Sequence, residues 1–177
     1  MAIRRRKIQV LVGALLNENS VTEAPVPVSQ IAKRRGARIH ADALEGDLSG
    51  FLFRDPSQVV IGVNTSHAPA RQNFTIAHEL GHLMLHDDVR SHVDHEFRSV
   101  RLRNSVSSQG TDEAEQEANL FAATLLMPQQ FIERDLASQK YADIMDDDEF
   151  IRQMARDYGV STQALTIRLK ALGHIQE

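Results

Sequence analysis

His78, Glu79 and His82 fall in the run His78-Glu79-Leu80-Gly81-His82, an HExxH pattern. On a helix, residues four apart share one face and sit about 6 Å apart along the axis. Two imidazoles so placed can reach one ion at roughly 2.0–2.1 Å. Glu79 is turned about 100° from His78. It is poorly placed to join the histidines on the ion, but it can reach a water bound there. That separation of ligand from base is what metal-assisted hydrolysis needs. The pattern also arises by chance on ordinary helices, and this chain has eight histidines. A third ligand must therefore be found.

The extended pattern HExxHxxGxxH fails, because Leu85 and Asp88 stand where its Gly and third His would be. The acidic segment 111–123 is the better source of a ligand. Its apolar residues Ala114, Ala118, Phe121, Ala122, Leu125 and Leu126 recur at helical spacing. Glu115 lies about 60° from the centre of that arc, Glu117 about 100°, and Glu113 further still. A carboxylate at the edge of a buried face is costly unless paired or metal-bound. Glu115 therefore ranks first, with Glu117, Asp88, His92 and His95 as alternatives. A competing role for Glu115 is a capping box with Asp112. Asn119, one turn after Glu115, could hold a ligand imidazole in place.

The elements that must position these groups are legible in outline. Apolar periodicity predicts helices over 3–17 and 28–35, the second ended by Gly36. Strand-like runs follow at 37–40, 50–53 and 59–63, with an Asp55-Pro56-Ser57-Gln58 turn between the last two. They suggest a small antiparallel sheet. Pro69 suits the first position of the helix that carries the HExxH pattern. The segment 87–110 is polar and irregular, although 97–103 alternates enough for an edge strand. That strand, or 59–63, could accept an extended substrate segment. A helix from Asp112 ends before Pro128, and helices at about 129–138, 146–157 and 161–172 finish the chain. The division expected is a core over 1–128 and a helical, helix-turn-helix-like region over 129–177 packed on it.

Composition narrows the chemistry. The 177 residues suit one domain with a sizeable core. There is no cysteine, which excludes disulfides, thiolate metal sites and thiol nucleophiles. Twenty basic residues against 24 acidic ones give a formal net charge of −4, unlike a general nucleic-acid binder. No apolar stretch approaches a membrane span. Arg4, Arg5, Arg6 and Lys7 before an apolar run imitate a signal peptide, but Ile3, Lys7, Val10, Leu11, Ala14 and Leu15 keep helical spacing. That run reads as an amphipathic surface helix with its basic residues solvated, and the expected compartment is the cytoplasm. His86 reads as a C-terminal helix residue that interacts with the dipole.

HELGH followed by EQEANLFAATLLMP at 115–128 resembles the ImmA/IrrE family of metallopeptidases. RQNFTIAHELGHLMLH at 71–86 and SSQGTDEAEQEAN at 107–119 are similar to that family too, and the resemblance spans about 28–175. It implies a zincin-like α+β fold, His78, His82 and Glu115 as zinc ligands, and Glu79 as catalytic base. It also implies an endopeptidase acting on phage-type helix-turn-helix repressors, in mobile-element or stress responses. Two imidazoles and a carboxylate suit Zn2+, one per chain, although non-haem iron accepts the same set. Tyr141, Arg71, His86, His92 and His95 are candidates for an oxyanion donor.

Two other readings compete. Residues 151–173 carry Ala155, Gly159 and Leu165 at helix-turn-helix positions, which would make the chain a DNA-binding regulator. Against this, Arg152, Arg156, Arg168 and Lys170 are offset by Glu149, Asp157 and Glu177, and Arg168 and Lys170 come late in the second helix. Direct nucleic-acid binding is therefore not expected, and the partner is a protein substrate. The third reading is a non-catalytic zinc scaffold.

Overall fold

The computed structural model describes residues 3–45, 48–86, 91–95, 109–141, 144 and 146–176, with backbone alone at 91–95, 109–112 and 139. In chain order the elements are α1 (Arg5–Glu18), α2 (Val28–Arg34), β1 (Ala37–Asp42), β2 (Leu48–Asp55), β3 (Gln58–Asn64), α3 (Pro69–Leu85), β4 (Ser91–His95), α4 (Gln109–Leu126) and α5 (Gln129–Ala137). A 3-10 turn (Gln139–Tyr141), α6 (Asp147–Tyr158) and α7 (Thr162–Ala171) complete the fold. The α+β class holds. Helix α4 begins before Asp112, so Asp112 lies within the helix and does not cap it. The 97–103 segment lies outside the described residues. The strand that borders β2 is Ser91–His95.

The sheet runs β1-β3-β2-β4. β2 is antiparallel to β3 and to β4, but β1 is parallel to β3. The sheet is thus mixed rather than wholly antiparallel. Asn64 is buried at the end of β3. Its Nδ2 donates to the carbonyls of Leu44 (3.2 Å) and Leu48 (2.8 Å), and its Oδ1 accepts from Leu44 N–H at 3.3 Å. These bonds tie Leu44, after β1, and Leu48, at the start of β2, to the end of β3. Between β2 and β3, Asp55 Oδ1 accepts from Ser57 N–H (2.7 Å) and Gln58 N–H (3.0 Å), tightening the expected turn.

Helix α3 is the centre of the molecule. It packs on α2, α4, β2 and β3. Leu52, Ile61 and Val63 are buried in the sheet, and Ile76, Ala77 and Leu80 are buried on α3. Both close contacts of α3 use a residue without a side chain. A Cβ on Gly50 would lie 2.3 Å from Thr75 Cγ2, and one on Gly81 would lie 3.1 Å from both Ala118 Cα and Phe121 Cδ1. Glycine in mid-helix costs about 1 kcal/mol relative to alanine. Here it lets two helices meet backbone to backbone. Polar contacts fasten the same helix. Arg71 Nη2 donates to Ser49 Oγ (2.8 Å), Arg54 Nη2 to Leu83 O (3.0 Å), and Asn73 Nδ2 to Gly159 O (3.1 Å).

One hydrophobic cluster runs from Ile8 on α1 to Leu169 on α7. Helix α1 packs on α4 and buries Ile8, Val12, Leu15 and Leu16. In the C-terminal region, Asp146 caps α6, Gly159 takes the left-handed conformation, and Ser161 Oγ accepts from Ala164 N–H at 3.1 Å to start α7. Tyr158 Oη donates to Asp135 and Tyr141 Oη to Asp157, each at 2.9 Å. No helix among the described residues is long and apolar enough to cross a membrane.

Two predictions follow from this packing. Gly81→Val should lower stability by about 1–3 kcal/mol, as overpacking does; urea denaturation measures it. Burial, with the Asp157 hydrogen bond, pushes the Tyr141 hydroxyl up to about 12 from 10.0. The native state therefore keeps that proton while unfolded tyrosine loses it. The contribution is complete below about pH 10 and disappears as pH rises towards about 12. Tyr158 is shifted upwards as well. Tyr141→Phe should accordingly make the loss of stability across that window shallower, as read by denaturation at successive pH values.

Candidate metal centre

Gly81 lies between His78 and His82 on α3, and its contact on α4 is Ala118. Glu115 and Asn119 flank Ala118, so the tight crossing sets the two pairs face to face. His78 and His82 are buried, with their Nε2 atoms 3.1 Å apart. Glu115 faces both: Oε2 lies 3.4 Å from His78 Nε2, and Oε1 lies 3.2 Å from His82 Nε2. A tetrahedral ion with bonds of about 2.0–2.1 Å separates its donors by about 3.3 Å. The three separations are close to that figure, with one carboxylate oxygen facing each imidazole. The three residues form the group of ligand atoms that could hold a metal ion among the described residues.

The protons agree with this. Asn119 Oδ1 lies 3.0 Å from His78 Nδ1. An amide oxygen only accepts, so Nδ1–H donates and the Nε2 lone pair faces His82 and Glu115. Two buried imidazoles and a half-buried carboxylate converge on a point where one cation would satisfy all three. Glu79, fully buried, sits next to His78 on the same helix.

Glu117 does something else. It is about 200° from Glu115 around α4. It is the more buried of the two, the reverse of the order read from the apolar arc. Helix α1 covers that side, which makes the buried face of α4 wider than its apolar residues suggest. Arg4 supplies the compensation. Its Nε donates to Glu117 Oε1 at 2.9 Å, Nη2 donates to Oε2, and the Arg4 backbone N–H adds a 2.8 Å bond to Oε1. Arg4 first, and His86 with it, holds the Glu117 carboxyl down at about 2 despite burial. Arg4 was expected to be solvated with its basic neighbours. It does stay exposed, with 39% of its side chain open to solvent, but its fork is engaged by a buried acid.

His86 is also more than a residue at the helix dipole. Its side chain is nearly buried, with Nδ1 3.2 Å from His82 Nδ1 and Nε2 3.2 Å from Glu117 Oε2. Sequence reasoning missed this link, although His82, His86 and Glu117 could be found from the i, i+4 spacing and a neighbouring acid. Among the proposed oxyanion donors, the Tyr141 hydroxyl is engaged by Asp157 and Arg71 by Ser49. Asp88 and the side chains of His92 and His95 lie outside the described residues.

Comparison with known proteins follows the same line. A family model described as Peptidase_M78, IrrE N-terminal-like domain, matches residues 32–170. A protein of Deinococcus radiodurans described as radiation response metalloprotease IrrE is 36% identical over 80 residues, 44% of this chain and 22% of that protein. A protein of the same description from Deinococcus deserti is 37% identical over 81 residues, 45% of this chain and 26% of that protein. The matched stretch thus spans about a quarter of either relative. A Mycobacterium tuberculosis transcriptional regulator shares the fold, with a TM-score of 0.62 and 18% identity over 93% of this chain and 46% of that one.

The geometry separates the acids by experiment. Glu115→Ala should abolish tight metal binding, and Glu113→Ala should leave it intact. Asn119→Ala should weaken it by about tenfold, as loss of a ligand's orienting partner does. Metal content after dialysis, with chelator competition, measures all three.

Proposed function

The chain belongs to the Peptidase_M78 (IrrE N-terminal-like) family, and from that premise we propose that it is a zinc-dependent endopeptidase. The observation that carries this reading is the triangle of His78 Nε2, His82 Nε2 and Glu115 carboxylate, with edges of 3.1, 3.2 and 3.4 Å. His78, His82 and Glu115 would hold the ion, and the donor set suits zinc. Bound there, zinc supplies a water acidified towards a pKa of about 7 and polarises the scissile carbonyl. Glu79 takes the proton from the attacking water and passes it to the leaving amine as the C–N bond breaks. Asn119 keeps the His78 ring in the tautomer that ligates. The sheet presents β4 as an outer strand, where an extended substrate segment could add in register.

The proposed substrate is a cytoplasmic helix-turn-helix repressor of the phage type, in keeping with the family resemblance. Residues 129–177, as a helical region packed on the core, would dock it. The DNA-binding reading is the weaker one. Arg168 Nε donates to Met127 O at 3.1 Å, which turns one of the two basic side chains of α7 inwards.

Glu79→Gln tests the enzyme directly and separates it from a zinc scaffold. The variant should bind zinc as wild type does and cleave some 10²–10⁴-fold more slowly. Co-expression with a repressor encoded nearby, followed by mass spectrometry of fragments, reads the cleavage. Undiminished cleavage by the variant rejects Glu79 as the base.

A further inference from the structure

Arg4 stands outside the matched family segment of 32–170, yet a chain of polar contacts leads from it to the centre. Its Nη2 donates to Leu85 O at 3.2 Å, on the last turn of α3, and its fork holds Glu117 on α4. Glu117 faces His86 Nε2, and His86 Nδ1 faces His82 Nδ1, each at 3.2 Å. We propose that Arg4 is a positioning residue of the metal centre: by fixing Glu117 it orients His86, and through His86 it sets the ring and tautomer of His82. The inference rests on the reading of His82 as a metal ligand.

Chemistry sets the direction of the contacts at the Arg4 and Glu117 end of this chain. A guanidinium only donates and a carboxylate only accepts. His86 must therefore give its Nε2–H to Glu117. In a ring carrying that one proton, Nδ1 is the acceptor. His82 must then donate through Nδ1–H, and its own lone pair is on Nε2, the atom that faces Glu115 and His78. Asn119 does the same for His78 with one contact. His82 needs three residues, because its outer ring nitrogen faces the α3–α4–α1 corner rather than an amide. Ligand histidines usually give this bond to a carboxylate or carbonyl, and loss of the partner costs about 10–100-fold in metal affinity. Here the carboxylate acts at one imidazole's remove, and Arg4 from α1 holds it in place.

The test is zinc affinity of the full chain by competition with a chromophoric chelator. It compares wild type, Arg4→Ala, His86→Ala, the double variant and Arg4→Lys. Arg4→Ala and His86→Ala should each weaken zinc by about tenfold. The double variant should be no weaker than His86→Ala alone. Arg4→Lys keeps the charge but loses the fork. It should bind between wild type and Arg4→Ala, and it carries the test by itself if Arg4→Ala does not fold. Long-range 1H–15N spectra of the zinc-free protein should show His82 protonated at Nδ1 in wild type and less so in the Arg4 variants. A purely structural role would lower the melting temperature and leave both the tautomer and the zinc coupling unchanged. Zinc affinity of the Arg4 variants equal to wild type, or an equal loss with and without His86, overturns the proposal. A wild type that binds no zinc overturns the metal centre itself, and the inference with it.

Discussion

Helices α3 and α4 cross at Gly81, where the side chain is a hydrogen atom and Ala118 fills the opposite position. Everything else in the centre depends on that spacing. A helix backbone has a radius of about 2.3 Å, and ordinary side-chain packing holds axes 8–10 Å apart. A small-on-small crossing lets the side chains on either flank meet end to end. His78 and His82 flank the glycine on α3; Glu115 and Asn119 flank the alanine on α4. Gly50 repeats the device on the sheet side, where Thr75 lies against the backbone of β2. The helix that carries the histidines is thus clamped from both sides by close contacts, and its ligands gain rigidity from the scaffold rather than from one another.

Two glutamates on α4 illustrate how position divides one chemistry into two roles. Glu115 and Glu117 are two residues apart and look in nearly opposite directions. One meets the imidazole pair, and the other is buried against Arg4. The second is tolerable only because a two-pronged guanidinium contact compensates the loss of water. His86 connects that ion pair to the histidines. The centre is best understood as an inner triangle of donors with a polar margin, Asn119 on one side and His86, Glu117 and Arg4 on the other.

Much of this was readable in the residues. The HExxH spacing, the helical context, Glu115 as the facing acid and Asn119 as its companion all follow from 3.6-residue geometry, and the fold brings Glu115 and Asn119 against His78 and His82. The helices were legible because their apolar faces repeat, and Pro69, Gly36, Gly159 and Ser161 mark their ends by local rules. What escaped was non-local. The parallel pairing of β1 with β3 joins segments some 20 residues apart that share no local signal. The burial of Glu117 depends on α1, which has no periodic relation to α4. Arg4 looked like any of four solvated charges because a one-dimensional pattern cannot single out the exposed one whose fork reaches a buried acid on another helix. His86 looked terminal because its partner belongs to another helix.

The contact between Arg4 and Glu117 joins residues 113 positions apart. At synthesis speeds of about 5–20 residues per second, the glutamate leaves the ribosome roughly 6–23 s after the arginine. For that interval the first helix has translated fully but lacks the surface on which Ile8, Val12, Leu15 and Leu16 come to rest. The imidazoles emerge in between, before any acid that could complete their set. A group of donors assembled in this order stays incomplete on the growing chain until α4 brings its carboxylates to α3 and Arg4 meets Glu117.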